Sequence, residues 1–540
     1  MKALSSIWTK YHWFSLIILA IIIFIVTFFG HLMPVLVKGY SPAVETDNLI
    51  LARNLHFTGQ RVIESDLNVY LSTEVLKEKG GLQAGTQNIL TPLIYSQLFD
   101  IFGWQPNLPL YVSLACWSAV ILLLFFLSLR LFNLTVALLT VGTLTLIPAF
   151  WWGSITLGFY EFAVLFFTLG LFFYFYPKKN KNFSLVLASI FFALAVLSRN
   201  AFLISILLIF VFEFFKQRSF KRLACLVVPL VIIVGGVFLT DFKTGSNVYF
   251  SSDQTKTFGY YTHVFPDPYT YHFDKENYLA KIKAAASGDI AGKIIDMGGY
   301  QGKALFVKYL ELFANSSKYY IVQCFRPTIL GGILVLSLLF FGFYHLKKSN
   351  KDLLQLFIFW PVVLFLALVV LKTSNSDHFM ELVPIISIVS ALGIYYLLNL
   401  VINSESSKNK KIFFGAILVI GILGNLLAID KILFGREYGG QNVIVNTQPL
   451  ILAVQDANID SRTDVIAVGV HPAAMGALSY YTDKNYVYFD QETIQGLIKE
   501  GKLSSAFKSF GVTYAIGYED SIMQEISKST EVKIIKPAEL

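Results

Sequence analysis

Residues 108–129 read LPLYVSLACWSAVILLLFFLSL, from Leu108 to Leu129, without one charged side chain. A helix crossing the hydrocarbon core of a bilayer needs about 20 consecutive apolar residues, and this stretch supplies them. Inside a bilayer the backbone must satisfy its own hydrogen bonds, which a helix does within the segment. The stretch therefore reads as a transmembrane helix. The same ruler finds eleven candidate spans in all: 13–37, 108–129, 134–152, 159–176, 183–197, 202–215, 223–240, 328–346, 353–371, 379–402 and 412–434. The first is too long for a signal-peptide core and carries no small-x-small cleavage site, so it reads as a retained helix.

The composition of the whole 540-residue chain agrees. It is 55% hydrophobic and 14% charged, against about 25% charged in soluble domains. That excludes one large soluble enzyme, a disordered chain and a disulfide scaffold. The three cysteines, Cys116, Cys225 and Cys324, are far apart and form no CxxC or Cys/His spacing. They read as small apolar residues of the helices. The balance of 43 basic and 35 acidic residues gives +8, and its distribution says more than its sum.

With the N-terminus in the cytoplasm, the inner segments collect Lys2 and Lys10, Arg130, Lys178 to Lys181, Lys216 to Arg222, Lys347 to Lys351 and Lys408 to Lys411. The short outer loops hold only Arg199 and Lys372. This is the positive-inside pattern. Fusing the two spans around Ser198 would break it, so both are kept. The expected orientation is N-terminus in, C-terminus out, with outer segments 38–107, 241–327 and 436–540. The charge excess thus reports orientation, not nucleic acid. Within the first outer segment, 74–79 and 92–102 read as helices on the membrane surface. In the second, 303–313 reads in the same way.

After residue 435 the composition becomes that of a soluble domain. Runs at 465–470, 486–489, 513–517 and 532–535 read as strands. They alternate with helical stretches at 472–481, 491–510 and 521–527. That alternation predicts a small α/β domain with a mostly parallel sheet. The expected fold class is an α-helical polytopic membrane protein (residues 1–435) with a small C-terminal α/β extracytoplasmic domain (436–540).

Ionisable groups at or near the membrane are costly and often functional. Glu45-Thr46-Asp47 precedes the helical run 49–57, where an acid also serves as an ordinary helix cap. Glu161 opens the fourth span; an interfacial first-turn acid is its structural reading. Arg199 breaks the positive-inside rule between two apolar helices; snorkelling is its structural reading. Asp377-His378 precedes the tenth span, with Lys372 nearby. The predicted orientation puts Asp47, Glu161, Arg199, Lys372 and His378 on one outer face. There an acid can act as a general base on a hydroxyl, and cations can stabilise a departing phosphate.

These residues resemble the GT-C glycosyltransferases, integral membrane enzymes that use polyprenyl-phosphate sugars. The closer likeness is to the bacterial branch related to protein O-mannosyltransferases and aminoarabinose transferases. Glu45-Thr46-Asp47 with Ala52-Arg53-Asn54-Leu55 and Gly59 resembles the acidic first-loop motif. Thr91-Pro92-Leu93-Ile94-Tyr95 and Phe102-Gly103 resemble the surface helix that follows it. Glu161 and Ser198-Arg199 stand at the second acidic and the basic positions. Asp377-His378-Phe379 with Pro384 is similar to the start of a late helix, with His378 where the family usually has Arg. The small C-terminal domain also resembles one that some members carry.

The resemblance implies an inverting transfer of a monosaccharide from a polyprenyl-phosphate donor to a lipid, glycan or protein acceptor. Asp47 would be the base, with Glu45 and Glu161 as further catalytic acids. Arg199, Lys372 and His378 would bind the donor phosphate. No cofactor is required; a divalent metal on Glu45 and Asp47 is the alternative, since hard cations choose carboxylate oxygens. Two other activities compete: a flippase for lipid-linked saccharides, and a surface-glycan polymerase or ligase using a diphosphate-linked donor. A transporter would show midspan polar residues and internal repeats; here midspan positions are mainly Leu, Ile, Val and Phe.

Overall fold

The computed structural model describes residues 18–25, 47–59, 69–79, 89–155, 157–158, 160–175, 181–217, 219–243, 314, 317–370, 376–403, 415, 419, 421–430, 437–438, 441–442, 447–470 and 472–536. Residues 18–25 form helix α1 within the first predicted span. Then come α2 (Asp47–Thr58), strand β1 (Val69–Tyr70), α3 (Thr73–Lys79) and α4 (Leu90–Phe102). Helices are therefore present where they were expected at 74–79 and 92–102. The stretch 303–313 lies outside the described residues. On α4, Thr91, Tyr95 and Phe99 are buried while Ile101 and Phe102 are 71% and 59% exposed. Such a two-faced helix suits the membrane interface.

The chain is a helical membrane protein. Its bundle runs through α5 (Leu108–Leu131), α6 (Leu134–Thr145), α7 (Pro148–Ile155), α8 (Glu161–Phe175), α9 (Lys181–Ser198), α10 (Phe202–Gln217) and α11 (Phe220–Lys243). It continues through α12 (317–325), α13 (Pro327–Leu330), α14 (Gly332–Ser349) and α15 (Lys351–Val370). A 3₁₀ turn (Ser376–Leu382), α16 (Val383–Asn403) and α17 (Gly421–Asp430) close it. Among the described residues, four helices are long and apolar enough to cross a membrane, or five if α6 and α7 count as one bent span. Helix α8 and α17 are shorter apolar helices.

Two expected spans are broken in the structure. The one at 134–152 splits into α6 and α7, bent by 69°. Pro148 lacks an N–H and disfavours helical geometry in the residue before it. The one at 328–346 is interrupted at Gly331, whose φ is +90°. The span expected at 379–402 is present over 379–400, opening as the 3₁₀ turn and becoming α-helical at Val383. Around Ser198 the two helices are separate, as expected, with Arg199 in the turn between them.

Within the bundle α9 packs between α8 and α11, and α16 between α6 and α14. The α14–α16 contact is made by glycines. A Cβ on Gly342 would lie 2.0 Å from the Val389 carbonyl oxygen, and one on Gly393 2.1 Å from that of Leu338. Small residues let membrane helices approach backbone to backbone. At the end of α10 away from Arg199, buried Glu213 accepts from Tyr174 Oη at 2.7 Å and pairs with Arg222 of α11 at 2.5 Å.

The C-terminal part contains α18 (Gln448–Asp456), β4 (Val465–Val468), α19 (Pro472–Thr482), β5 (Asn485–Tyr488), α20 (Gln491–Lys499), α21 (Leu503–Ser509), β6 (Val512–Ile516), α22 (Asp520–Ser529) and β7 (Lys533–Ile535). A separate two-stranded ribbon pairs β2 (Glu437–Tyr438) with β3 (Gln441–Asn442). The single helix expected over 491–510 is two, parted at Gly501, whose φ of +66° favours glycine. The five-stranded sheet has the order β1-β5-β4-β6-β7. Pairs β4–β5, β4–β6 and β6–β7 are parallel, as expected.

The fifth strand is not from the tail. β1, from the segment before α5, pairs antiparallel with β5, Val69 opposite Val487 and Tyr70 opposite Tyr486. Around it the Ser72 N–H donates to Asn485 Oδ1 at 2.9 Å, and the Thr73 N–H to Asp483 Oδ1 at 2.8 Å. Tyr480 of α19 is fully buried in the bundle's apolar core, not in the tail's own. Its hydroxyl donates to the Pro106 carbonyl at 3.2 Å.

Candidate active site

Helix α8 begins at Glu161, which is fully buried. A buried carboxylate is tolerated only with hydrogen-bond donors. Two are present. The Gly158 N–H donates to Glu161 Oε1 at 2.9 Å, and the Tyr95 hydroxyl of α4 donates to the same oxygen at very short range. Burial and the neighbouring carboxylate push the Tyr95 phenol well above its usual pKa. It therefore stays a donor at neutral pH.

The turn before α8 is held against α2. Asn48 Nδ2 donates to the Gly158 carbonyl at 2.8 Å. Gly158 has φ +76°, and a Cβ there would lie 2.9 Å from Leu49 Cγ. Only glycine fits that conformation in that space. Asp47, the first residue of α2, is thus next in the chain to the side chain that clamps the Glu161 turn.

Arg199, 7% exposed, lies with its guanidinium carbon 4.0 Å from the centroid of the Tyr160 ring. A guanidinium over an aromatic face is a cation–π contact. Tyr160 directly precedes Glu161, so the α9–α10 turn and the α8 start meet at one place. His378 lies in the 3₁₀ turn, which packs against α7 and α13. Glu45 and Lys372 lie outside the described residues, and Asp47 and His378 are placed by their backbone alone. Among the described residues, no three His, Cys, Asp or Glu side chains gather to hold a metal. This does not bear on Glu45 and Asp47, neither of whose side chains is among those described.

Sequence reasoning assigned no role to Asn48 and Tyr160, which look like ordinary interfacial residues, and quoted Tyr95 only as part of a motif. It also missed Glu381, fully buried in the 3₁₀ turn. The argument that singled out Glu161 was available for Glu381, an acid inside an expected span. Arg53 of α2 was quoted only as part of a motif. It is fully buried, donates to the Ser479 carbonyl and pairs with Asp483 at 3.2 Å. Burial lowers its pKa and Asp483 opposes that shift.

No protein-family model matches the chain, and no curated protein matches it. Solved structures do. The oligosaccharyltransferase of Archaeoglobus fulgidus, in complex with Zn and sulfate, superposes with TM-score 0.54 at 12% identity, covering 91% of this chain and 67% of that one. The oligosaccharyltransferase AglB from Archaeoglobus fulgidus, in complex with an inhibitory peptide and a dolichol-phosphate, gives 0.52 at 13% identity over 94% and 69%. ArnT from Cupriavidus metallidurans bound to undecaprenyl phosphate gives 0.48 at 12% identity over 96% and 89%. The chain therefore shares the overall fold of the archaeal oligosaccharyltransferase.

Proposed function

We propose that this protein is a glycosyltransferase that moves a monosaccharide from a polyprenyl-phosphate donor to an acceptor hydroxyl, with inversion, on the extracytoplasmic side of the membrane. The observation that carries the reading is the junction of α2, α8 and the α9–α10 turn. There a hydrogen-bonded buried carboxylate, Glu161, lies one residue from the ring under Arg199, and Asn48 ties the start of α2 to the same turn. Fold likeness to an enzyme whose complex holds dolichol-phosphate supports a lipid-phosphate donor by analogy.

Asp47 accepts the proton of the acceptor hydroxyl as its oxygen attacks the anomeric carbon in line. The bond from that carbon to the phosphate oxygen breaks, and the electron pair leaves with the lipid phosphate. Arg199, with Lys372 and His378, binds that phosphate and stabilises its growing charge. Glu161, fixed by Tyr95 and Gly158, orients the acceptor, and Glu45 supports Asp47. A divalent cation on Glu45 and Asp47 is the competing arrangement. The N-in, C-out orientation puts these groups in reach of an outer-leaflet donor.

The test is transfer by the purified full chain from labelled polyprenyl-phosphate sugars. Transfer abolished in Asp47→Asn supports the base; full activity in that variant refutes it. Competition by diphosphate-linked carriers in place of monophosphate ones would turn the reading to a glycan polymerase or ligase.

A further inference from the structure

Inside the apolar bundle, three buried polar side chains make a contact with no part in the chemistry above. Glu381 lies in the 3₁₀ turn, three residues after His378. Its Oε2 accepts from Ser205 Oγ at 2.9 Å. Ser205 Oγ in turn accepts from Trp360 Nε1 at 3.0 Å. All three are fully buried. The Trp360 ring packs edge-on against Phe167 of α8, centroids 5.2 Å apart.

The positions of these residues in the chain give the contact its meaning. Ser205 lies on the first turns of α10, which follows Arg199. Trp360 lies on α15, which precedes Lys372. Glu381 shares its turn with His378. Phe167 lies on α8, which Glu161 opens. One relay thus joins the 3₁₀ turn that holds His378 to the helix that follows Arg199 and to the helix that precedes Lys372 in the chain. An acid is an expensive way to join helices in an apolar bundle. An apolar side chain of similar volume is often as stable or more so.

We infer that Glu381 is a positioning residue for the lipid-phosphate site, acting through Ser205 and Trp360. It fixes α10 against the 3₁₀ turn and so sets the spacing between Arg199 and His378. This rests on the proposed phosphate-binding role of those two residues.

The experiment measures binding of undecaprenyl phosphate alone to the full chain in nanodiscs, together with the thermal midpoint. Wild type and Arg199→Ala come first. Loss of binding in Arg199→Ala upholds the phosphate reading. Wild-type affinity in Arg199→Ala overturns that reading and the inference built on it. With that reading upheld, Glu381→Leu keeps the volume and removes the acceptor. It should weaken binding about tenfold or more, since small misplacements of positioned groups carry costs of that order, with the midpoint unchanged or raised. Glu381→Gln keeps an acceptor oxygen for Ser205 and should restore affinity. Ser205→Ala should match Glu381→Leu, and the double variant should be no worse than either. Wild-type affinity in Glu381→Leu, or a loss that only follows a falling midpoint, overturns the inference.

Discussion

Arg53, on the helix that Asp47 opens, is completely buried and pairs with Asp483 of the C-terminal domain at 3.2 Å. The same carboxylate caps Thr73 at the start of α3, from a backbone with φ +52°. One aspartate therefore anchors two elements of the segment before α5. With β1 completing the sheet, the C-terminal domain is part of the scaffold of α2. Asp483→Ala leaves Arg53 charged and unpaired. Breaking a buried pair costs about 3–5 kcal/mol, and the partial exposure of Asp483 reduces this to about 2 kcal/mol. The expected result is a lower unfolding midpoint and faster proteolysis of residues 69–79. Pairing it with Arg53→Met should recover part of the loss; a double variant as unstable as the sum of both would exclude the ion pair.

Tyr95→Phe removes one donor from the Glu161 carboxylate and leaves the ring in place. Hydrogen bonds to charged groups contribute about 1.5–3 kcal/mol, so stability should fall within that range. Under the proposed function, Glu161→Gln should lower turnover more than Tyr95→Phe does, because Tyr95 acts only through Glu161. Steady-state kinetics on both variants decide it. Equal activity in Glu161→Gln and wild type would remove Glu161 from the site.

Gly158→Ala forces a side chain into a left-handed conformation, 2.9 Å from Leu49. The backbone alone accounts for about 1–2 kcal/mol. Relief requires α2 to move away from the Glu161 turn, so transfer should drop by more than the stability change implies. Calorimetry and an activity assay on one preparation separate the two effects.

Several buried tyrosines should make the protein sensitive to alkali. Burial raises the pKa of Tyr95, Tyr480 and Tyr486, and it pushes Tyr488 up to about 12. An unfolded tyrosine ionises near pH 10. Above that pH the unfolded chain binds fewer protons than the native one, so stability falls as pH rises. Below about pH 10 these residues give no slope. A titration following phenolate absorbance and unfolding together should show these phenols ionising late, with loss of structure. Ionisation near pH 10 in the intact fold would contradict their burial.

Much of the membrane part was legible because each helix satisfies its backbone from its own residues. Runs such as 108–129 and 183–197 need no partner to be recognised. Glu161 and Arg199 stood out because charge is rare there, and both lie where the start of α8 meets the α9–α10 turn. The bend at Pro148 was also written locally, though a hydropathy ruler averages over it. Tyr95 was hidden because a tyrosine on a surface helix has many ordinary uses, and only its distant carboxylate gives it this one.

The sequence by itself determined the class of protein, the places of most helices and the alternation of strands and helices in the tail. These follow from local composition and period, since apolar length, proline and turn chemistry act over a few residues. Only the tertiary structure decided that β1 completes the tail's sheet, that Asp483 holds Arg53 and that Glu381 meets Ser205. Val69-Tyr70 carries no alternation to read, and an edge strand has no say in which segment joins it. Such pairings are chosen by burial and hydrogen-bond satisfaction after the helices have packed. Their partners lie too far apart in the chain for any local pattern to record them.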